Sequence, residues 1–291
     1  MHRPDKQSKA VQPSAAMVQL ASLLRPGQSI HLLKALHILT REGKLNQDSL
    51  RKLKQIYHLY QFIETELNRL APLSPEITVA DLGAGKSYLG FLIYELFFQS
   101  REKGSVVAIE SRPELVKGSL LLAEQMRFDR MKFLACTVQE ASLSSQLPET
   151  VDLITALHAC DTATDDAIEF GLKKGAKTMV LVPCCQAYGA RLMNQNKALK
   201  LAKSPLAELW RHPLHTRELG SQITNVLRCL NLQARGYQIV VTELVGWEHS
   251  MKNELIIARY TGQRVSTAKE RLQVLVQEFG LQSMAERYFE T

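Results

Sequence analysis

No apolar run in this chain approaches the ~20 residues that a membrane-crossing helix needs. The N-terminus lacks the basic, apolar and small-residue succession of a secretory leader, so no targeting segment is expected. Cysteine is sparse: Cys136, Cys160, Cys184, Cys185 and Cys229. Their spacing fits neither a disulfide framework nor a zinc knuckle, and no metal site is expected. A reducing, cytoplasmic setting is the simplest expectation. One particular glycine is also missing. The stretch VADLGAGKSYLGF, residues 79–91, contains Gly-Ala-Gly-Lys-Ser, which looks like the end of a triphosphate-binding loop. That loop needs a further glycine five positions before its last one, and Ala80 stands there. Too few loop residues remain to wrap a triphosphate, which argues against ATP hydrolysis.

The 291 residues, 45% apolar and 22% charged, suit one large α/β domain with a smaller attachment. The formal charge of +7 permits an anionic partner. Its distribution says more, because residues 1–75 hold eleven Lys or Arg against five Asp or Glu. The excess therefore sits in front of the glycine turn. That front reads as a polar, basic tail followed by three helices. The first covers 14–24, before Pro26-Gly27. The second starts at a Ser29 cap and runs to about Gly43. In the third, Leu50, Leu53, Tyr57, Tyr60, Ile63, Leu67 and Leu70 form one apolar stripe.

From residue 76 to 291 the rhythm changes to strands alternating with helices. Strands are expected at 77–82, 105–110, 131–136, 151–157, 177–182, 237–244 and 254–260. Helices are expected at 88–99, after Pro113, and at 162–172, with a closing helix at 267–289. This alternation predicts a Rossmann-like, mostly parallel seven-stranded sheet. The last two strands are joined only by 245–253, too short for a parallel crossover, so the end of the sheet is expected to be antiparallel. A helical insertion is expected at about 186–236.

Asp-x-Gly-x-Gly after a first strand opens a nucleoside-binding sheet. Gly83 and Gly85 let a ligand approach the backbone, because no Cβ intervenes. Glu110, ending the second strand, can accept from both hydroxyls of a ribose. Asp81 either holds the turn or meets a cationic group of the ligand. S-adenosylmethionine fits this set, with an adenosine, an ammonium and a carboxylate but no phosphates. The end of the third strand, with Thr137 and Val138, is placed near the adenine. Lys86 is either a cofactor or substrate contact or a solvated residue at a helix start.

The segment resembles the class I S-adenosylmethionine-dependent methyltransferases, and within them the methyltransferase-like 25 and TRM13-type group. Asp81, Gly83, Gly85, Lys86, Tyr88 and Leu89 match that group's first motif. Leu157, His158, Cys160, Asp161, Thr164 and Asp165 resemble its Leu-His-x-Cys-Gly segment, with Asp161 where glycine is usual. Pro183, Cys184 and Cys185 match its Pro-Cys-Cys, whereas only Asn253 is kept of a late Pro-x-Asn. The resemblance covers about residues 75–260. It implies Asp81, Gly83, Gly85, Lys86, Tyr88, Glu110, Thr137, Val138 and Leu157 around the cofactor, with an RNA acceptor, either tRNA or rRNA.

Candidate chemistry gathers beyond the fourth and fifth strands. His158 titrates near neutrality and suits a base. Asp161 orients a nucleophile, accepts a proton, or caps the next helix. Cys184 and Cys185 line a pocket, touch substrate, or attack a pyrimidine covalently. The last reading lacks the Asp-x-Pro-Cys that accompanies it in 5-methylcytosine enzymes. Arg191, Lys197, Lys200, Lys203, Arg211, His212 and His215 in the insertion, with Trp210 among them, suit RNA phosphates and a stacked base, or form an ordinary solvated cover. Direct methyl transfer to O or N of RNA is the leading expectation. A protein or small-molecule acceptor, and a non-catalytic cofactor-binding role, stand beside it. The sequence does not fix an oligomeric state.

Overall fold

The structure, a computed structural model, describes residues 22–40, 46–157, 161–183, 187–195, 205–244 and 254–289, without the side chains of residues 206, 210, 287 and 288. The chain divides into two compact units, 1–54 and 55–291.

In the first unit, helix α1 spans Ile30–Ala35, and the Ser29 hydroxyl accepts from Leu32 N at 3.2 Å as its cap. The helix was expected to reach Gly43 but stops early. His37 turns left-handed at φ 55°, and Ile38 N–H returns to the Leu33 carbonyl, a closure that ends a helix. Most of the helix expected at 14–24 lies outside the described residues. Helix α2, Gln47–Leu70, crosses the boundary between the units.

The second unit is built on seven strands: β1 Thr78–Leu82, β2 Ser105–Ile109, β3 Met131–Leu134, β4 Leu153–Leu157, β5 Thr178–Val182, β6 Tyr237–Glu243 and β7 Glu254–Tyr260. Their order is β3-β2-β1-β4-β5-β7-β6. β1 to β5 pair in parallel, and β7 runs antiparallel to both β5 and β6. The short β6–β7 link thus produces the hairpin that its length requires. The sheet is the Rossmann-like one expected, with its antiparallel end.

The helices of this unit are α3 Tyr88–Ile93, α4 Pro113–Met126, α5 Val138–Leu143, α6 Ala163–Lys173, α7 Ala187–Gln195, α8 Pro213–Ala234, α9 Ala268–Phe279 and α10 Gln282–Tyr288. α3 runs on into a π-helical turn, Tyr94–Phe98. The closing helix expected at 267–289 is two helices, because Gly280 takes φ 66° and ends α9. α5 was not foreseen. Thr137 and Glu140 form a reciprocal capping box at its start, so the third strand ends at Leu134 rather than Cys136.

Among the described residues, two apolar clusters hold these layers. One joins Ala80, Leu82, Ile109, Ile154, Leu181 and Ile256 of the sheet to Ile168 and Phe170 of α6. The other binds α7, α8, α9 and α10 through Leu192, Leu227, Leu230, Leu272, Val276 and Met284. Each of the Leu, Ile, Val, Phe and Met side chains among them, fully buried, is worth ~1.5–3 kcal/mol. The later half of α2 docks on the sheet through Glu66, 1% exposed, which accepts from Arg259 Nε of β7 at 2.9 Å and Arg69 Nε at 3.0 Å.

Candidate functional site

Ligands of doubly wound sheets bind beyond the carboxyl ends of the strands, where the strand order reverses. Here that point lies between β1, which leads on to β2 and β3, and β4, which leads on to β5. The turn after β1 occupies it. Gly83 and Gly85 take φ 65° and 59°, and a Cβ built on Gly83 meets no atom within 4 Å. The backbone at Gly83 therefore faces open space that a ligand can enter.

Glu110 reaches this turn. Its Oε2 accepts from Gly85 N at 2.8 Å, and its Oε1 accepts from Arg112 Nε at 2.8 Å and Arg112 N at 3.1 Å. The Arg112 side chain, Arg112 N and Gly85 N hold the Glu110 carboxyl below its ordinary range, despite the opposing effect of burial. The Arg112 side chain is 59% exposed, against 6% for Glu110. The exposed guanidinium keeps the buried carboxylate charged. Arg112 escaped the sequence reading, although its place two residues after Glu110 was the signal for it.

Asp81 is 2% exposed and faces inward. Thr155 Oγ1, its register partner on β4, donates to Asp81 Oδ1 at 2.8 Å. Burial pushes its carboxyl up to about 6, with the bonds from Thr155 and from the Gly90 backbone pulling the other way. Of the two readings of Asp81, these contacts favour holding the turn. Gly90 belongs to the same junction: a Cβ there would fall 2.5 Å from Ser87 Oγ and 3.4 Å from Asp81 Oδ2. Its bare backbone lets α3 settle onto the end of β1.

Lys86 is exposed and Tyr88 half-buried at the start of α3. Thr137 Oγ1 accepts from Glu140 N at 3.2 Å and donates to Glu140 Oε2 at 2.9 Å, so its hydroxyl is committed to the cap. Val138 packs on the sheet core, and Leu157 ends β4 opposite Val182 of β5.

Of the chemistry candidates, His158, Cys160, Cys184 and Cys185 lie outside the described residues, as does Asn253. Asp161 is described and takes the left-handed φ of 53°. Its Oδ1 accepts from Tyr188 N at 2.8 Å, so it caps α7 rather than α6, which follows it in the chain. Its carbonyl accepts from Arg228 Nη2 at 2.7 Å. Arg228 also donates through Nε to Asp165 Oδ1 at 2.8 Å, through Nη2 to Asp165 Oδ2 at 2.6 Å and through Nη1 to Asn225 Oδ1 at 3.0 Å. Asn225 Nδ2 passes the chain on to Glu254 at 2.6 Å. Burial pushes the Glu254 carboxyl up, against the pull of Asn225 and Arg228. This buried network ties the flank of Asp161 to α6, α7, α8 and the start of β7. In the insertion, Arg211 pairs with Glu208 at 2.9 Å, Arg191 lies 5.4 Å from the Tyr188 ring, and His212 and His215 stack edge-on.

Residues 51–190 match the model of a family described as a methyltransferase domain. That match covers just under half of the chain, and the sheet order is that of a Rossmann-like, methyltransferase-type fold. Neither singles out the methyltransferase-like 25 and TRM13-type group. Comparison with curated proteins gives no match. Among solved structures, the chain is similar to the magnesium protoporphyrin IX methyltransferase ChlM of Synechocystis PCC 6803 with bound S-adenosylhomocysteine: 12% identity, 85% of this chain and 95% of that one, TM-score 0.43. It is similar to TrmK of M. capricolum in complex with S-adenosylhomocysteine, at 12% identity, 71% and 73% coverage and TM-score 0.41. A third is an rRNA methylase of Streptococcus thermophilus, at 10% identity, 64% and 87% coverage and TM-score 0.39. Among the described residues, no helix is long and apolar enough to cross a membrane.

Proposed function

We propose that this protein is a cytoplasmic S-adenosylmethionine-dependent methyltransferase that acts on RNA by direct transfer to an oxygen or nitrogen. The observation that carries the cofactor assignment is the bond of the buried Glu110 carboxylate to Gly85 N beside the open face of Gly83. A ribose fits there through its hydroxyls, and the absence of a wrapping phosphate loop suits a cofactor without phosphates. S-adenosylmethionine, when bound, supplies a methyl group on a sulfonium. Glu110 orients the ribose once Arg112 has swung away. Asp81 and Thr155 keep the turn in place from beneath. Asp161 holds the start of α7 at the acceptor side, and His158 is the proposed proton acceptor. No covalent step through Cys184 or Cys185 is required for such an acceptor.

Isothermal calorimetry tests the cofactor. Glu110→Ala should weaken S-adenosylmethionine binding about tenfold or more, since a hydrogen bond to a charged group contributes ~1.5–3 kcal/mol. Tighter binding of ATP with Mg²⁺ than of S-adenosylmethionine would overturn the reading.

RNA as acceptor is supported by the basic excess in residues 1–75. Tritium transfer from labelled cofactor into RNA, protein and metabolite fractions of cells lacking this protein tests it. Label confined to protein or metabolites removes RNA, and no label in any fraction leaves a binding protein. RNA affinity should also fall with salt, and charge removal at Lys34 and Lys54 should flatten that slope. Lys52 is the weaker probe, because it already meets Asp48 at 2.7 Å. A trapped adduct of Cys184 or Cys185 with 5-fluorocytosine RNA would instead establish covalent catalysis.

A further inference from the structure

A cavity of about 570 Å³ opens among α8, α9 and α10, away from the glycine turn. Its place follows from the strand directions. Arg235 lies two residues before β6, and Arg264 follows the end of β7. Arg259, near that end of β7, is opposite Thr178, the first residue of β5. The cavity therefore lies at the amino-terminal edge of the parallel strands, whereas the glycine turn lies at the carboxyl edge.

Its lining has two halves. Arg235, Arg264 and Lys269 bring three cations against a single carboxylate, Glu286. Leu272, Val276 and Phe289, each less than a tenth exposed, give an apolar floor. Among the described residues, neither Arg264 nor Lys269 meets a carboxylate. The wall also includes Asn231, 3% exposed, whose Nδ2 has no hydrogen-bond partner among the described residues. A buried donor left without an acceptor costs ~1–3 kcal/mol. An acceptor oxygen lodged against Asn231 would relieve that cost. The volume suits a small organic ligand, and pockets of this size pair apolar walls with a few placed polar groups.

We infer that this cavity is a second ligand site, separate from the cofactor mouth, for a small anionic amphiphile: one sulfonate-, carboxylate- or phosphate-like group toward Arg264 and Lys269, and an apolar body on Leu272, Val276 and Phe289. The inference does not rest on the methyltransferase reading, and its test needs no methyl acceptor.

The probe is 8-anilinonaphthalene-1-sulfonate, titrated by fluorescence into the full chain, first alone and then against added S-adenosylhomocysteine. Saturable binding at one probe per chain is expected. The exposed double substitution Arg264→Glu with Lys269→Glu should weaken it at least tenfold while leaving the melting curve and S-adenosylhomocysteine affinity unchanged. The uncharged analogue N-phenyl-1-naphthylamine should bind at least tenfold more weakly, and inorganic sulfate should compete only in the millimolar range. Equal binding by the double variant, equal binding by the neutral analogue, or displacement by S-adenosylhomocysteine would overturn the site. So would displacement by a short RNA, which would make Arg264 and Lys269 phosphate-backbone contacts instead.

Discussion

Arg228→Met is expected to cost the folded state about 3–5 kcal/mol, the typical loss when one partner of a buried ion pair is removed. Arg228 and Asp165 are each 1% exposed, so water cannot replace the lost guanidinium. The substitution removes the Arg228 donors from the Asp165 carboxylate, the Asn225 side-chain carbonyl and the Asp161 main-chain carbonyl. Asp165 is the largest of these, because an unpaired carboxylate in the interior must either stay charged at high cost or take up a proton. Adding Asp165→Leu to Arg228→Met removes that charge and should restore part of the stability, since apolar replacements of buried pairs are often neutral. Recovery should remain incomplete, because the Asp161 carbonyl still lacks its donor. Urea denaturation followed by circular dichroism measures both variants. A loss below about 1 kcal/mol in Arg228→Met would place the pair among those that contribute little to stability. On the proposed function, because Arg228 also fixes the Asp161 backbone, the double variant should keep its cofactor affinity and lose methyl transfer.

This network marks the limit of what the sequence made legible. Arg228 and Asp165 lie 63 residues apart, and no local pattern sets this arginine apart from the solvated ones around it. The cationic residues of the insertion suited either RNA phosphates or a solvated cover, and the buried Arg228 of α8 was not among them. Signals that live within one element fared better. The apolar runs of β1 to β5, each bounded by turn residues, gave the strands within one or two positions. The short 245–253 link forced the antiparallel end. The spacing of Gly83, Gly85 and Glu110 placed them at one strand edge, where Gly85 N and Glu110 meet at 2.8 Å. The capping box of α5 was equally local, Thr137 with Glu140, but it was hidden because Cys136 and Val138 extend the apolar run of β3. The break at Gly280 was missed for a related reason. Apolar residues continue on both sides of it, and only its positive φ separates α9 from α10.

Asp81→Asn should change how stability depends on pH, and the direction follows from the raised carboxyl. The group titrates at about 6 in the folded chain, against 3.8 as its ordinary value. Below pH 3.8 it carries its proton in both states and costs nothing. Between 3.8 and 6 the unfolded chain gives up the proton while the folded chain keeps it, so stability falls as pH rises. Above 6 both states are ionised and the loss is complete, on the order of 3 kcal/mol by linkage. Asparagine reproduces the neutral acid: its Oδ1 can accept from the Gly90 backbone, and its Nδ2 can donate to Thr155 Oγ1. The variant should match the natural protein near pH 3.5 and exceed it increasingly up to pH 7. Subtracting the two urea-derived stability curves cancels every other carboxylate. A flat difference curve would show that burial does not strain Asp81. Cofactor calorimetry on the same variant separates the two roles. Affinity within about twofold of the natural protein, a few tenths of a kcal/mol, makes Asp81 the residue that holds the turn. A tenfold loss with a flat stability difference makes it a direct contact for the cofactor's ammonium.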